Sequence, residues 1–406
     1  MERTGRSLIS IPVILLLIVL FTYHWSNLAN GADDKARNAV FVAALFVLIG
    51  HMFNKLIPLK EIYSEKRFSH EKLVLFGVVF MLAGTAAHLY FYSENLGQIM
   101  QYRDNYLLTR GKGYLVVFFD WLPLGILMCM QANQGMKKKS LALVCFISIM
   151  VYTAFYLFVL MKRKQLLLLF IGILIIKYEH IKNKKLIMFV LASAAYAFLM
   201  IFGQVRGFYD AHGLLETFEY IGTSYNSQWI MLDSFEGRYT SMILSDIISY
   251  TDQNGIQPWI ILADFMVVIP RALWPSKLMT LSEWYSYTFH PSLYERGGAY
   301  ASSLIAEAYF ALSWVGIVLV FFVVGFLCSK ADMVKAAGYN VAYSVVIYMI
   351  FLMPRLGGSS LIIYAVFLLF PSWLTYRFSR EYSEKLQKEA TAVCKNRCTG
   401  VQGHEL

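Results

Sequence analysis

Arg163, Arg206, Arg271 and Arg355 each stand beside a long apolar run in this chain. A guanidinium stays charged and presents a planar fork that grips phosphate through two hydrogen bonds. A charge beside a membrane span is costly unless it is paired or lines a wet cavity. Two readings follow. The arginines hold an anionic ligand, or each makes a structural ion pair with Glu307, Asp264 or another acid. Arg355 is the clearest case, because Leu352-Met353-Pro354-Arg355-Leu356-Gly357-Gly358 ends an apolar span in a proline–glycine break. Glu307 lies inside another apolar run, in Ala306-Glu307-Ala308-Tyr309. A buried carboxyl there either packs against an arginine or serves as a proton acceptor. His212, close to Asp210, is a further acceptor candidate, although a lone surface histidine is the more common role. No P-loop, GxSxG elbow, HExxH or DxD metal pair accompanies them, so neither a metal nor a cofactor is expected.

The elements that position these groups are hydrophobic helices. The 406 residues are 58% hydrophobic and 15% charged, against roughly 25% charged in soluble domains. That places the chain among all-α polytopic membrane proteins. The formal charge of +10 fits basic cytoplasmic loops better than nucleic-acid binding, and no nucleic-acid partner is expected. Of the five cysteines, none lies in the long polar insert, so no disulfide closes it. Cys394 and Cys398 read as ordinary tail thiols. Arg3 and Arg6 precede an apolar run without a cleavage pattern, which predicts a retained first span.

Ten spans are predicted: 8–24, 39–57, 73–92, 114–132, 141–161, 165–178, 186–203, 301–327, 341–356 and 361–376. The sixth is short and depends on snorkelling cations at its ends. Residues 1–203 therefore hold spans one to seven, 204–298 a large outward loop, 299–376 spans eight to ten, and 377–406 a tail. With both termini in the cytoplasm, most of the 36 lysines and arginines fall on the inside, as positive-inside bias requires. Lys162-Arg163-Lys164 breaks the rule by falling outside. Either the topology differs there, or three cations are kept outside for a reason.

The insert is not a plain hydrophilic loop. Trp259–Ile269 is an apolar run too short to cross, bounded by Pro258 and Pro270, which suits a re-entrant or interface-lying helix. Met242–Tyr250 is a second short helix. Tyr209, Trp274 and many other aromatics of the insert sit at a bilayer interface or stack on sugar rings.

The layout of spans and insert, with Val205-Arg206-Gly207, Ile269-Pro270-Arg271-Ala272-Leu273-Trp274-Pro275-Ser276-Lys277 and Glu307-Ala308-Tyr309, resembles the Wzy-type oligosaccharide repeat-unit polymerases of bacterial O-antigen and capsule pathways. Leu278 after Lys277, and Ala311–Gly316 after the Glu307 motif, depart from the family pattern. The resemblance implies a GT-C-like membrane glycosyltransferase of the bacterial inner membrane with its active site facing the periplasm. It implies metal-independent transfer of a growing glycan from undecaprenyl pyrophosphate to a new undecaprenyl-pyrophosphate-linked unit. Partners so implied are the lipid-linked oligosaccharide, membrane lipid, and a chain-length regulator and flippase of the same pathway. Glu307, Arg206 and Arg271 would be catalytic. Arg163, Lys277, Arg355, Tyr209, Trp274, Tyr309 and His212 would hold pyrophosphate and glycan. An O-antigen ligase acting on lipid A core and a polysaccharide flippase or transporter are the alternatives. A transporter predicts inverted repeats and broken helix pairs, which this sequence lacks.

Overall fold

Long apolar runs become long helices because a chain in hydrocarbon must satisfy its backbone polar groups within itself. The computed structural model describes residues 10–24, 28, 33–56, 68–93, 113–159, 163–177, 216, 237–271, 273–295 and 298–379. Among them the order is α1 Ile11–Tyr23, α2 Asp34–Leu56, α3 His70–Ser93, α4 Gly113–Phe119, α5 Trp121–Met136, α6 Lys139–Ala154 and α7 Arg163–Lys177. The insert supplies α8 Gly237–Asn254, α9 Trp259–Met266, α10 Leu281–Phe289 and α11 Pro291–Glu295. Then follow α12 Leu304–Ala336, α13 Asn340–Leu352, α14 Gly358–Tyr364 and α15 Phe370–Ser379. A π turn, Ala365–Leu369, joins the last two. The described residues are all-α.

Among the described residues, six helical stretches are long and apolar enough to cross a bilayer: Asp34–Asn54, His70–Ser93, Leu115–Met136, Lys139–Leu157, Leu304–Lys335 and Gly358–Ser379. Each coincides with an expected span. The shorter apolar helices Ile11–Tyr23 and Asn340–Leu352 stand at the first and ninth positions, and α7 at the sixth. The expected seventh span, 186–203, lies outside the described residues. Spans α2 and α12 pack closely because both present glycine at the crossing. A Cβ on Gly50 would stand 2.1 Å from the Phe322 carbonyl oxygen, and one on Gly325 2.1 Å from that of Val47. Such small-residue contacts take the place of hydrophobic drive between helices in lipid.

Hydrogen bonds between helix ends define two ends of the bundle. At one, the Ser69 N–H donates to Ser379 O (2.8 Å), Gln131 Nε2 to Gly338 O (2.8 Å), and Gln134 Nε2 to Ile176 O (2.6 Å). At the other, Lys35 at the start of α2 is ion-paired with Asp252 of α8. There, too, the Gln257 N–H donates to Phe310 O (2.8 Å). The insert helices therefore cap the end where α1 finishes and α2 begins. Helix α7 starts near that capped end. Its Lys164 ammonium lies 4.8 Å over the Tyr364 ring, within electrostatic range of Asp120 and Arg355. Lys164 therefore lies over a buried ring and within electrostatic range of the buried Asp120.

Candidate active site

Helix α9 carries the insert into the bundle. Proline at position 258 fits the helix start because its missing N–H is an orphan there anyway. Turns at Val267–Ile269 and Pro270 close the helix. Its two faces differ. Ile260, Ala263 and Asp264 are buried, while Leu262 and Phe265 are 59% and 65% exposed. One face packs on the bundle and the other is apolar and uncovered, as an interface-lying helix requires.

The second element is the first part of α12. Ser303 caps it, its hydroxyl accepting from the Ala306 N–H (3.2 Å). The helix then breaks at Leu312 (φ −143°) and Ser313 (φ 54°, ψ −139°). Residues Leu304–Ala311 thereby form a short unit set apart from the span proper. On it Glu307 is 4% exposed.

The third element is the start of α14, where Gly358 donates its N–H to Glu307 Oε2 at 2.6 Å. The Asp264 carboxyl lies beside the Glu307 carboxyl and the Ser359 backbone, both of which act on its charge. Two glycines make this approach possible. A Cβ on Gly357 would fall 1.9 Å from Glu307 Oε2, and one on Gly358 2.5 Å from Asp264 Oδ2. Both acids therefore rest on the N-terminus of α14, whose unpaired N–H groups and dipole favour negative charge.

Among the described residues, Asp264 Oδ1 and Glu307 Oε1 are buried with no donor. Like charges this close do not both stay ionised, so the pair holds one proton between them. Burial pushes the Asp264 carboxyl above its ordinary range. Such a pair can take up one more proton from a hydroxyl brought to it.

The basic motif after α9 is built as a clamp. Arg271 Nη2 donates to Glu283 Oε2 (2.8 Å), with both side chains about one-third exposed. Its Nη1 donates to the Lys277 carbonyl (3.3 Å). Glu283 also accepts from the Thr280 N–H in the capping box that starts α10. Lys277 Nζ reaches back to Ile269 O (2.6 Å) and Val267 O (3.4 Å), satisfying carbonyls left open after α9. Burial, with Arg271 beside it, lowers the Lys277 ammonium below its usual range. Trp274, 39% exposed beside the 79% exposed Leu273, sits at the tip of this loop.

The structure thus brings together Glu307, Asp264 and the Arg355 turn, and connects Arg271, Trp274 and Lys277 to them through α9. Tyr309 is turned elsewhere. It is 1% exposed, and its hydroxyl donates to Asp252 Oδ1 (2.8 Å), about 200° around the helix from Glu307. Arg206, Tyr209 and His212 lie outside the described residues. Arg163 begins α7, and its side chain lies outside them as well.

Of the two sequence readings of Glu307, an arginine partner or a proton acceptor, the structure shows neighbours of another kind, Asp264 and the Gly358 N–H. Sequence reasoning also missed Lys164 facing Asp120 and Arg355, where the signal was an aspartate in the middle of the fourth apolar run. The Glu283 partner of Arg271 was readable as Thr280-x-x-Glu283, a capping box.

Residues 211–379 match the family model described as O-antigen polysaccharide polymerase Wzy. The match takes in Asp264, Arg271, Lys277, Glu307, Arg355 and the glycine pair. No curated protein matches the chain, and no solved structure does. Over residues 211–379 the chain is similar to Wzy-type O-antigen polymerases. Among the described residues, six helices are long and apolar enough to cross a bilayer, the layout of a multi-pass membrane protein.

Proposed function

We propose that this protein joins lipid-linked oligosaccharide repeat units at the outer face of the bacterial inner membrane, with Glu307 and Asp264 as the proton acceptor. The observation that carries the reading is the buried carboxyl pair on the Gly357–Gly358 backbone, within the region matched to Wzy polymerases. In the reaction, a hydroxyl oxygen of the incoming unit bonds to the anomeric carbon of the growing glycan. The bond from that carbon to undecaprenyl pyrophosphate breaks, and its electron pair leaves with the phosphate oxygen. The hydroxyl proton passes to the carboxyl pair.

Charge grows on the departing pyrophosphate, so fixed cations there lower the barrier without a metal. Arg271 and Lys277 stand at the loop tip, and Arg355 with Lys164 at the inner end of the same region. Arg206, Arg163, Tyr209 and His212 are assigned to this surface on the family resemblance alone. Trp274 and the uncovered face of α9 suit the sugar and the polyprenyl chain at the bilayer boundary. The full reading has ten spans in a GT-C-like arrangement, with both termini in the cytoplasm and the insert in the periplasm. Positive-inside bias supports that orientation.

A strain lacking its own polymerase, supplied with this gene, should make a ladder of glycan lengths. Glu307→Gln should leave single repeat units only. A full ladder from Glu307→Gln removes the carboxyl pair from the chemistry.

A further inference from the structure

Away from the carboxyl pair, a cleft of about 480 Å³ opens between the start of α2 and one face of α8. Asp33, Lys35, Ser245, Ser249, Asp252 and Gln253 line it, with Ile248 on its floor. Its size falls within the roughly 300–1,000 Å³ of small-molecule sites. Its lining does not resemble that of an apolar drug pocket. Carboxylates accept, the ammonium donates, and the hydroxyls and amide do both. Adjacent hydroxyls on a pyranose need that mixture.

The charges exclude the other part of the substrate. Two carboxylates against one ammonium repel a diphosphate. The geometry points to this cleft as the binding subsite for a sugar ring of the repeat-unit glycan, a reading that rests on the proposed polymerase activity.

The cleft is also prearranged. Asp252 is fixed by Lys35 through one oxygen and by the Tyr309 hydroxyl through the other (2.8 Å). A carboxylate has about four lone-pair positions, so both oxygens still accept from a sugar. Asp33 Oδ1 receives the N–H groups of Lys35 (2.9 Å) and Ala36 (3.3 Å), which pins the mouth of the cleft to the first turn of α2. The Tyr309 contact has a further consequence. Tyr309 and Glu307 share the short unit Leu304–Ala311, set off by the break at Leu312–Ser313. A sugar held on Asp252 is therefore registered against the same rigid piece that carries the proton acceptor. The glycan lies along one face of that piece while its reacting end meets the other.

The test uses the full chain in detergent micelles. Its probe is the reducing oligosaccharide released by mild acid from the cell's own lipid-linked repeat unit, read by saturation-transfer NMR. Ser249 is exposed, so Ser249→Trp fills the cleft without entering the core. It should weaken binding at least tenfold, and Gln253→Ala should weaken it less. Inorganic pyrophosphate should not compete.

If Ser249→Trp and Gln253→Ala both bind as the unaltered protein does, or the unaltered protein binds no oligosaccharide, the cleft is not a glycan subsite. The ladder assay reads the polymerase activity separately. Unchanged oligosaccharide binding in Ser249→Trp with the ladder lost in Glu307→Gln overturns the cleft alone. Cleft-dependent binding with no ladder from the unaltered protein overturns the activity alone.

Discussion

Asp264 and Glu307 come from different helices and face each other over the backbone of Gly357 and Gly358, which leaves no space for a side chain at either glycine. Neither acid is at home alone in an apolar setting. Together, on a helix N-terminus, they form a site that holds one proton and can take another.

Acid should therefore stop polymerisation earlier than an ordinary carboxylate would. Asp264 is raised by burial, and the group must be deprotonated to accept. Activity is present above that raised value and lost as pH falls through it. The acid limb of the rate profile should lie above the ordinary aspartate value of about 3.9. Rates of glycan extension measured from pH 4 to 8 check this. A flat profile across that window contradicts it.

The glycines make a steric prediction. Gly358→Ala places a methyl group 2.5 Å from Asp264 Oδ2, which should cost about 1–3 kcal/mol as overpacking and spread the acids apart. Gly255→Ala is the control for a general glycine effect. Gly255 has φ 81° but nothing near its Cβ, so its variant should lose stability through backbone strain and keep its rate per folded molecule. Thermal unfolding and ladder length, measured together, separate the two.

Arg271 holds its loop and is proposed to meet pyrophosphate. Glu283→Gln removes the loop partner and leaves the cation. It should lower the melting temperature while retaining most of the activity. Arg271→Ala should cost about 10²- to 10³-fold in rate, as loss of one charge-stabilising donor does. Equal losses in both variants would reduce Arg271 to a loop staple.

Sidedness has a direct check by labelling with a membrane-impermeant maleimide in a background lacking the native cysteines. Leu273→Cys should react from outside, since position 273 is 79% exposed. Lys139→Cys should react only after the inner face is opened. Lys164→Cys should resist both, because that position is packed against Tyr364. Labelling of 273 and 139 from the same side would overturn the topology.

Much of the helical layout was legible because hydrophobic length is a strong signal. The runs at 39–57, 73–92 and 361–376 recur as spans with shifted ends. The break inside α12 was not legible. Neither Leu312 nor Ser313 is a proline or glycine, yet Ser313 adopts φ 54°, a conformation that L residues other than asparagine and aspartate rarely enter. Glu307 was visible as an acid in an apolar run. Its partner was not, since Asp264 sits far off in sequence and only the docking of α9 against α14 brings it in. The Lys35–Asp252–Tyr309 chain was hidden for the same reason. Three ordinary polar residues acquire meaning only from the tertiary arrangement.

The most direct measurement of the central claim uses the purified protein in lipid nanodiscs with lipid-linked repeat units and no added proteins. Free undecaprenyl pyrophosphate and glycan length are quantified together. Release of one pyrophosphate lipid for each unit joined is predicted for the unaltered protein, with both signals falling about 10²- to 10⁴-fold in Glu307→Gln, the range for loss of a general base. Joined units and released lipid at undiminished rates in Glu307→Gln would contradict the account.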